Sequence, residues 1–274
     1  MADPRAFRDL FASPKYVIAG VHLLALPGSP DYDRTAGMRA IIARARDEAR
    51  LLAEQGADAL LFANEADVPY AQRLSPETVA AFAEAVGEAA RDLSLHFGVN
   101  ALLDAVSGVA IAHAVGASFV RGYFSGAYVT DVGLMETRGP EALRLRSNLA
   151  GAPIFILHNL VCSFGVPLVD RPKGEEAYGA KVHSGVDGFT IAGRAASFPP
   201  DPALFAEVRR AVPDLPLVAG TGVSLANVGT LLDVADGVIV VSSLREDGRT
   251  LGPVDRARVA AFMRAVRALP TQRG

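Results

Sequence analysis

"EQGADALLF" (residues 54–62), "AVGASFV" (114–120) and "HSGVDGFTI" (183–191) repeat one device: a helical stretch runs into a glycine, then a small residue, then an apolar β-prone run. Glycine takes the left-handed conformation that ends a helix and turns the chain into a strand, so each stretch reads as an α-to-β connection. Working outward from them, short apolar runs alternate with longer helical stretches eight times. The strands are expected at 16–22, 59–64, 95–100, 119–121, 153–157, 188–191, 217–219 and 237–241. The helices are expected at 38–55, 76–93, 105–115, 140–150, 175–183, 202–212, 225–234 and 255–268. Runs such as "GVIVV" (237–241) are apolar without alternation, as parallel strands buried on both faces require. Eight βα units in one chain predict an α/β fold, a single-domain (β/α)8 TIM barrel at 15–270 after an N-terminal extension at 1–14. A doubly wound open sheet is the competing arrangement, and the near-regular repeat without a long linker favours the barrel.

The chain has 274 residues, half of them apolar and 21% charged, enough to bury a large core. A net charge of −3 with scattered arginines offers no basic field for nucleic acid. No uninterrupted apolar span reaches about 20 residues, so no membrane insertion is expected and the cytoplasm is the default location. The single cysteine, Cys162, excludes an internal disulfide and reads as a buried thiol. Self-association through outer helix faces is open to such a barrel, but no apolar stripe selects it.

In this fold, chemistry sits at the C-terminal ends of the strands. After the seventh strand come Gly220, Thr221, Gly222, Val223 and Ser224, with a helix expected from Leu225 and Ser224 as its cap. Two glycines one residue apart let backbone approach a ligand, and free amides at a helix start attract an anion. Ser242 and Ser243, after the eighth strand, add amides and hydroxyls beside them. Together the two turns are expected to hold a phosphate, so the partner expected is a phosphorylated small molecule. Long loops after the first, fourth and fifth strands are lid candidates.

Five segments carry a family likeness: "GVHLLALPGSPDYD" (20–33), "GAYVTDVGL" (126–134), "AGTGVSLANV" (219–228), "DGVIVVSSLREDG" (236–248) and "PVDRARV" (253–259). The chain resembles the BtpA/SgcQ family over roughly 16–262, and the His-Leu-x-x-Leu-Pro-Gly-Ser-Pro segment is the most specific piece. The resemblance implies a single barrel with a two-loop phosphate cup. It also implies one of two functions: support of photosystem I stability at the thylakoid surface, or an enzyme in a sugar-utilisation setting. His22, Asn64, Asp67, Asn100, Arg121, Asp131, Gly220, Gly222, Ser242 and Ser243 stand where the family pattern has them. Ala63-Asn64-Glu65-Ala66-Asp67 departs from the usual Glu-Asn-Phe-Gly-Asp, and Leu103-Asp104-Ala105 from an Arg-Asn-Asp run. His158-Asn159 lacks the lysine and acid common there. The phosphate end is intact while the polar floor has lost charges, which suits either a less polar substrate or binding without turnover.

His22 ends the first strand, where an imidazole serves as acid or base near neutral pH; a histidine hydrogen-bonded beneath the first loop fits the same place. His158 on the fifth strand is the second acid/base candidate, with Asp67 and Asp131 as supporting carboxylates, the latter acting on loop closure. Asn64, Asn100 and Arg121 are the candidate substrate contacts. No metal and no cofactor is expected, for want of ligand spacing. Lys15, Lys173 and Lys181 lie away from strand ends, which disfavours an imine-forming aldolase.

Overall fold

A computed structural model describes residues 5–195 and 198–270. Among these, eight parallel strands close a barrel: β1 (Tyr16–His22), β2 (Ala59–Ala63), β3 (His96–Asn100), β4 (Phe119–Gly122), β7 (Phe155–Asn159), β9 (Gly188–Ile191), β10 (Leu217–Ala219) and β11 (Gly237–Val240). Three further strands, β5 (Ala127–Thr130), β6 (Gly133–Glu136) and β8 (Gly165–Pro167), form a separate antiparallel sheet in the order β6-β5-β8. The helices are α1 (Arg5–Arg8), α2 (Gly37–Glu54), α3 (Pro76–Ala90), α4 (Ala105–Val115), α5 (Gly139–Asn148), α6 (Lys173–Gly179), α7 (Pro202–Ala211), α8 (Val228–Val234) and α9 (Arg256–Arg267).

The turns that predicted the fold behave as their glycines dictate. Gly56, Gly116 and Gly185 have φ of +87°, +72° and +63°, so the left-handed turn follows each helix. Asp58, Asp187 and Asp236 then each accept an amide of the neighbouring strand, from Val17, Ile156 and Leu217 at 2.7, 2.9 and 2.8 Å. A carboxylate directly before a strand thus satisfies an end amide of the strand beside it, closing the lower rim against unpaired donors.

Side chains alternate between two cores. Ile18, Leu61, Phe119, Leu157, Val218 and Ile239 fill the lumen, while Val17, Leu60, Val120, Ile156, Leu217 and Val238 pack against the helices. Both sets are buried, which is why the strands read as unbroken apolar runs. Below the lumen, α1 and the residues after it act as a stopper: Phe7 lies edge-on to Phe119 and Phe155 at 5.7 and 5.6 Å, and Phe11 stacks on Tyr16 at 3.8 Å. Burying one such ring is worth about 1.5–3 kcal/mol. The first four residues of the expected extension lie outside the described residues.

Two expectations are corrected. The loops expected after the fourth and fifth strands are the β5–β6 hairpin and β8, with Val129 opposite both Leu134 and Val166. The helix expected from Leu225 starts at Val228, because Asn227 Oδ1 accepts the Ser224 amide at 2.8 Å and holds the chain in a turn.

Candidate functional site at the barrel mouth

The segments after β10 and β11 meet. Ser243 Oγ donates to the Val223 carbonyl at 2.8 Å, and the Asn227 amide nitrogen donates to Gly222 O at 2.9 Å. Thr221 and Gly222 have φ of +59° and +69°, a left-handed pair that curls the backbone into a concave turn. The Gly220 amide bonds Ile191 O in the barrel ladder, and Ser224 is capped by Asn227, so neither is open to a ligand. For the amides of Thr221, Gly222, Val223, Ser242 and Ser243 no acceptor is present among the described residues. The open amides therefore belong to a turn, not to a helix end. Gly222 is obligatory there: a Cβ on it would meet the Phe198 carbonyl carbon at 2.4 Å.

These turns wall a cavity of about 500 Å3 that also includes His22, Glu65, Arg121, Thr250 and Arg258. The residues at its floor follow from strand parity. Ala59 and Leu61 point inward, so two and four residues on Ala63 and Glu65 do also. Arg121, two residues after inward Phe119, enters from β4; its Nε donates to Asn159 Oδ1 at 2.8 Å, which Thr190 Oγ1 also contacts. Burial raises the Glu65 carboxyl above its usual value, while Arg121 and a hydrogen bond from Tyr70 at 3.2 Å hold it down.

His22 is 8% exposed and forms part of the cavity wall, with Nδ1 unpartnered among the described residues. Burial first, then the Arg245 charge, lowers its pKa from 6.5 to about 3, so the ring is neutral at pH 7. Arg245, fully buried, donates through both terminal amino groups to Glu48 at 3.0 and 2.9 Å, and Arg44 joins the same carboxylate at 2.9 Å. This network fixes the segment after β11 to α2.

Other residues expected at the site lie elsewhere. Leu157 and Asn159 face the lumen, so His158 faces outward against Phe189, whose ring centroid is 6.0 Å away. His158 Nδ1 accepts the Phe124 amide at 3.1 Å, and the ring borders a separate cavity with Tyr128 and Glu176. Burial lowers its pKa to about 3 as well. His22 and His158 are thus not brought together. Asp67 accepts from Leu26 N at 2.7 Å and Asn64 Nδ2 at 2.8 Å, which staples the first loop and uses both its oxygens. Asn100 Oδ1 accepts from Leu102 N at 3.1 Å. Asp131 is exposed at the turn of the hairpin. Glu65, Asn159, Thr190 and Thr250 were missed by sequence reasoning; continuing the strand alternation past Ala63 would have found Glu65.

Among the described residues no three His, Cys, Asp or Glu side chains group to hold a metal ion, and no helix is long and apolar enough to cross a membrane.

A closed (β/α)8 barrel whose rim turns leave backbone amides open defines the class. The BtpA family model matches residues 13–268, and the chain belongs to that family. An sgc region protein, SgcQ, from Escherichia coli strain K12 is 36% identical over 94% of this chain and 97% of its own. The photosystem I biogenesis protein BtpA of Synechocystis is 34% identical over 93% and 89% respectively. Among solved structures, the 2-keto-3-deoxy-6-phospho-gluconate aldolase of Zymomonas mobilis superposes with a TM-score of 0.58 at 14% identity, covering 98% of both chains. Phosphoribosyl anthranilate isomerase of Thermus thermophilus gives 0.56 at 11%, covering 93% of this chain and 100% of its own. At these identities the superpositions show the barrel fold.

Proposed function

We propose that this protein binds a phosphorylated small molecule, a sugar phosphate or a nucleotide, at the barrel mouth and exchanges protons with it, as an isomerase, lyase or hydrolase does. The observation that carries this reading is the pair of turns tied by Ser243 and Val223, whose amides converge on one cavity. Two fold neighbours have phosphorylated compounds in their names, in keeping with it. The proton carrier that fits is Glu65, a carboxyl in the cavity wall with a raised pKa facing Arg121. His22, neutral at pH 7, serves as a hydrogen-bonding group. Of the remaining expected carboxylates, Asp67 staples the first loop and Asp131 lies exposed at the hairpin turn.

Thermal unfolding with a panel of sugar phosphates and nucleotides tests this. A true ligand at a hundredfold excess over its Kd adds about 2.7 kcal/mol. Ser242→Asp, which puts a carboxylate against the open amides, abolishes the gain, whereas Ser242→Ala preserves most of it. No gain with any compound, or an unchanged gain in Ser242→Asp, overturns the reading.

A second reading, a non-catalytic assembly factor, has its own observation: Leu134, Val129 and Val166 form a cross-strand apolar row, 62, 49 and 62% exposed, on the outer sheet. Its test is Val129→Thr with Leu134→Thr, which leaves ligand-induced stabilisation intact while reducing the assembly of any complex the protein supports.

A further inference from the structure

We infer that the ligand carries a second anionic group, a carboxylate, and that Arg121, reaching across the lumen from β4, grips it beside the phosphate cup. This rests on the two rim turns being that cup.

In the closed barrel β4 stands four places from β11, so Arg121 rises from the wall opposite Ser242. Its plane is fixed from behind: Nε donates to Asn159 Oδ1, and Thr190 Oγ1 bonds the same oxygen. Among the described residues the terminal amino groups have no hydrogen-bond acceptor and no carboxylate oxygen within 4.0 Å; Glu65 shares the cavity and acts on Arg121 through its charge alone. A Cβ on Gly220 would be 3.8 Å from Nη2, so the fork crosses the lumen and ends beside the first turn of the cup.

The contrast with other interior arginines is chemical. Arg245 is matched by Glu48, and Arg146 is bonded to Asp187. Arg121 is part-buried in the cavity wall, and Glu65, the carboxylate that faces it there, makes no hydrogen bond to its fork, so the two terminal amino groups stay open to an anion that arrives with the ligand. The cup already offers the amides of two turns to the phosphoryl oxygens. The planar fork, with two parallel N–H groups, matches a carboxylate. A cavity of about 500 Å3 has room for a small phosphorylated carboxylic acid.

Calorimetric titration of the full chain with matched pairs tests this: 3-phosphoglycerate against glycerol 3-phosphate, and 6-phosphogluconate against glucose 6-phosphate, with inorganic phosphate as reference. For at least one pair the acid binds about tenfold tighter or more. Arg121→Gln removes that preference and leaves inorganic phosphate affinity within about threefold. Arg121→Lys keeps the charge without the fork and retains only part of the preference, and serves if the Gln variant fails to fold. Equal affinities within both pairs, or a preference unchanged in these variants, overturn the inference while the cup stands. So does a loss of inorganic phosphate binding in Arg121→Gln as large as the loss for the acids, which would put Arg121 on the phosphate itself. If the wild-type protein binds none of the probes, inorganic phosphate included, the cup and the inference fall together.

Discussion

Ser243 donates its hydroxyl to the carbonyl of Val223, 20 residues earlier in the chain, and so clamps the turn after β11 onto the turn after β10. Without that bond the two sets of amides are free to separate. Ser243→Ala is expected to lower stability by about 1 kcal/mol and to weaken phosphate binding several-fold, since the Val223 carbonyl loses its donor. Chemical denaturation and phosphate calorimetry measure the two effects, and an affinity unaffected by the substitution would show that the clamp does not shape the cup.

Glu65 and Arg121 should titrate as neighbours. Burial raises the Glu65 pKa and the Arg121 charge lowers it, so Arg121→Gln moves the midpoint upward. Tyr70→Phe moves it the same way by removing a hydrogen bond to the carboxylate. Carbon-13 NMR of the Glu65 carboxyl follows both, and a downward movement in either variant would contradict the assigned causes.

The buried histidines make the fold acid-sensitive. His158 takes up a proton near pH 3 when folded and near 6.5 when unfolded, so the unfolded chain binds more protons between those values. Stability is complete above 6.5 and falls as pH drops toward 3, with a slope of up to about 1.4 kcal/mol per pH unit for each such histidine. The raised carboxyls of Asp67, Asp187 and Glu65 act in the opposite sense, because the folded chain binds their protons first. His158→Asn keeps an acceptor for the Phe124 amide and removes the titration. Its urea-determined stability should fall less steeply between pH 6.5 and 4 than that of the wild type, and parallel curves would refute the assignment.

Glu48 holds Arg245 in the interior, and Arg245 in turn reaches the Gly20 and Gly252 carbonyls at 3.2 and 2.6 Å. Glu48→Ala leaves that guanidinium without its anion, at an expected cost of about 3–5 kcal/mol. Glu48→Leu combined with Arg245→Met recovers much of the loss, since it removes both charges at once. A double variant no more stable than Glu48→Ala would mean that the carbonyl contacts, and not the ion pair, hold this segment.

The barrel was legible in the sequence because its signal is covalently local: a helix, a left-handed glycine, then an apolar run. Strand edges at Tyr16, Gly188 and Leu217 fall where the sequence places them. The outer sheet was hidden because an exposed strand normally advertises itself by alternating polar with apolar residues. Here the outward positions Val129, Leu134 and Val166 are apolar as well, so no alternation appears. The site was half legible. That the turns after β10 and β11 meet at the rim followed from glycine spacing and position in the barrel. Which of Leu157, His158 and Asn159 faces the lumen did not, because a strand buried on both sides carries no mark of parity. Parity separates His158 from the mouth, and parity extended two residues past Ala63 brings Glu65 into it.

The aromatic stopper under the lumen has a bearing on how this chain matures. Phe7 is synthesised long before its seat, which is made by Phe119 and Phe155, more than a hundred residues downstream. The segment around Phe7 must therefore wait, apolar and uncovered, until β4 and β7 have left the ribosome. A bulky insertion beside Phe7 would hinder the docking, and the injury would register as slow or incomplete maturation of the whole barrel before any change at the opposite rim.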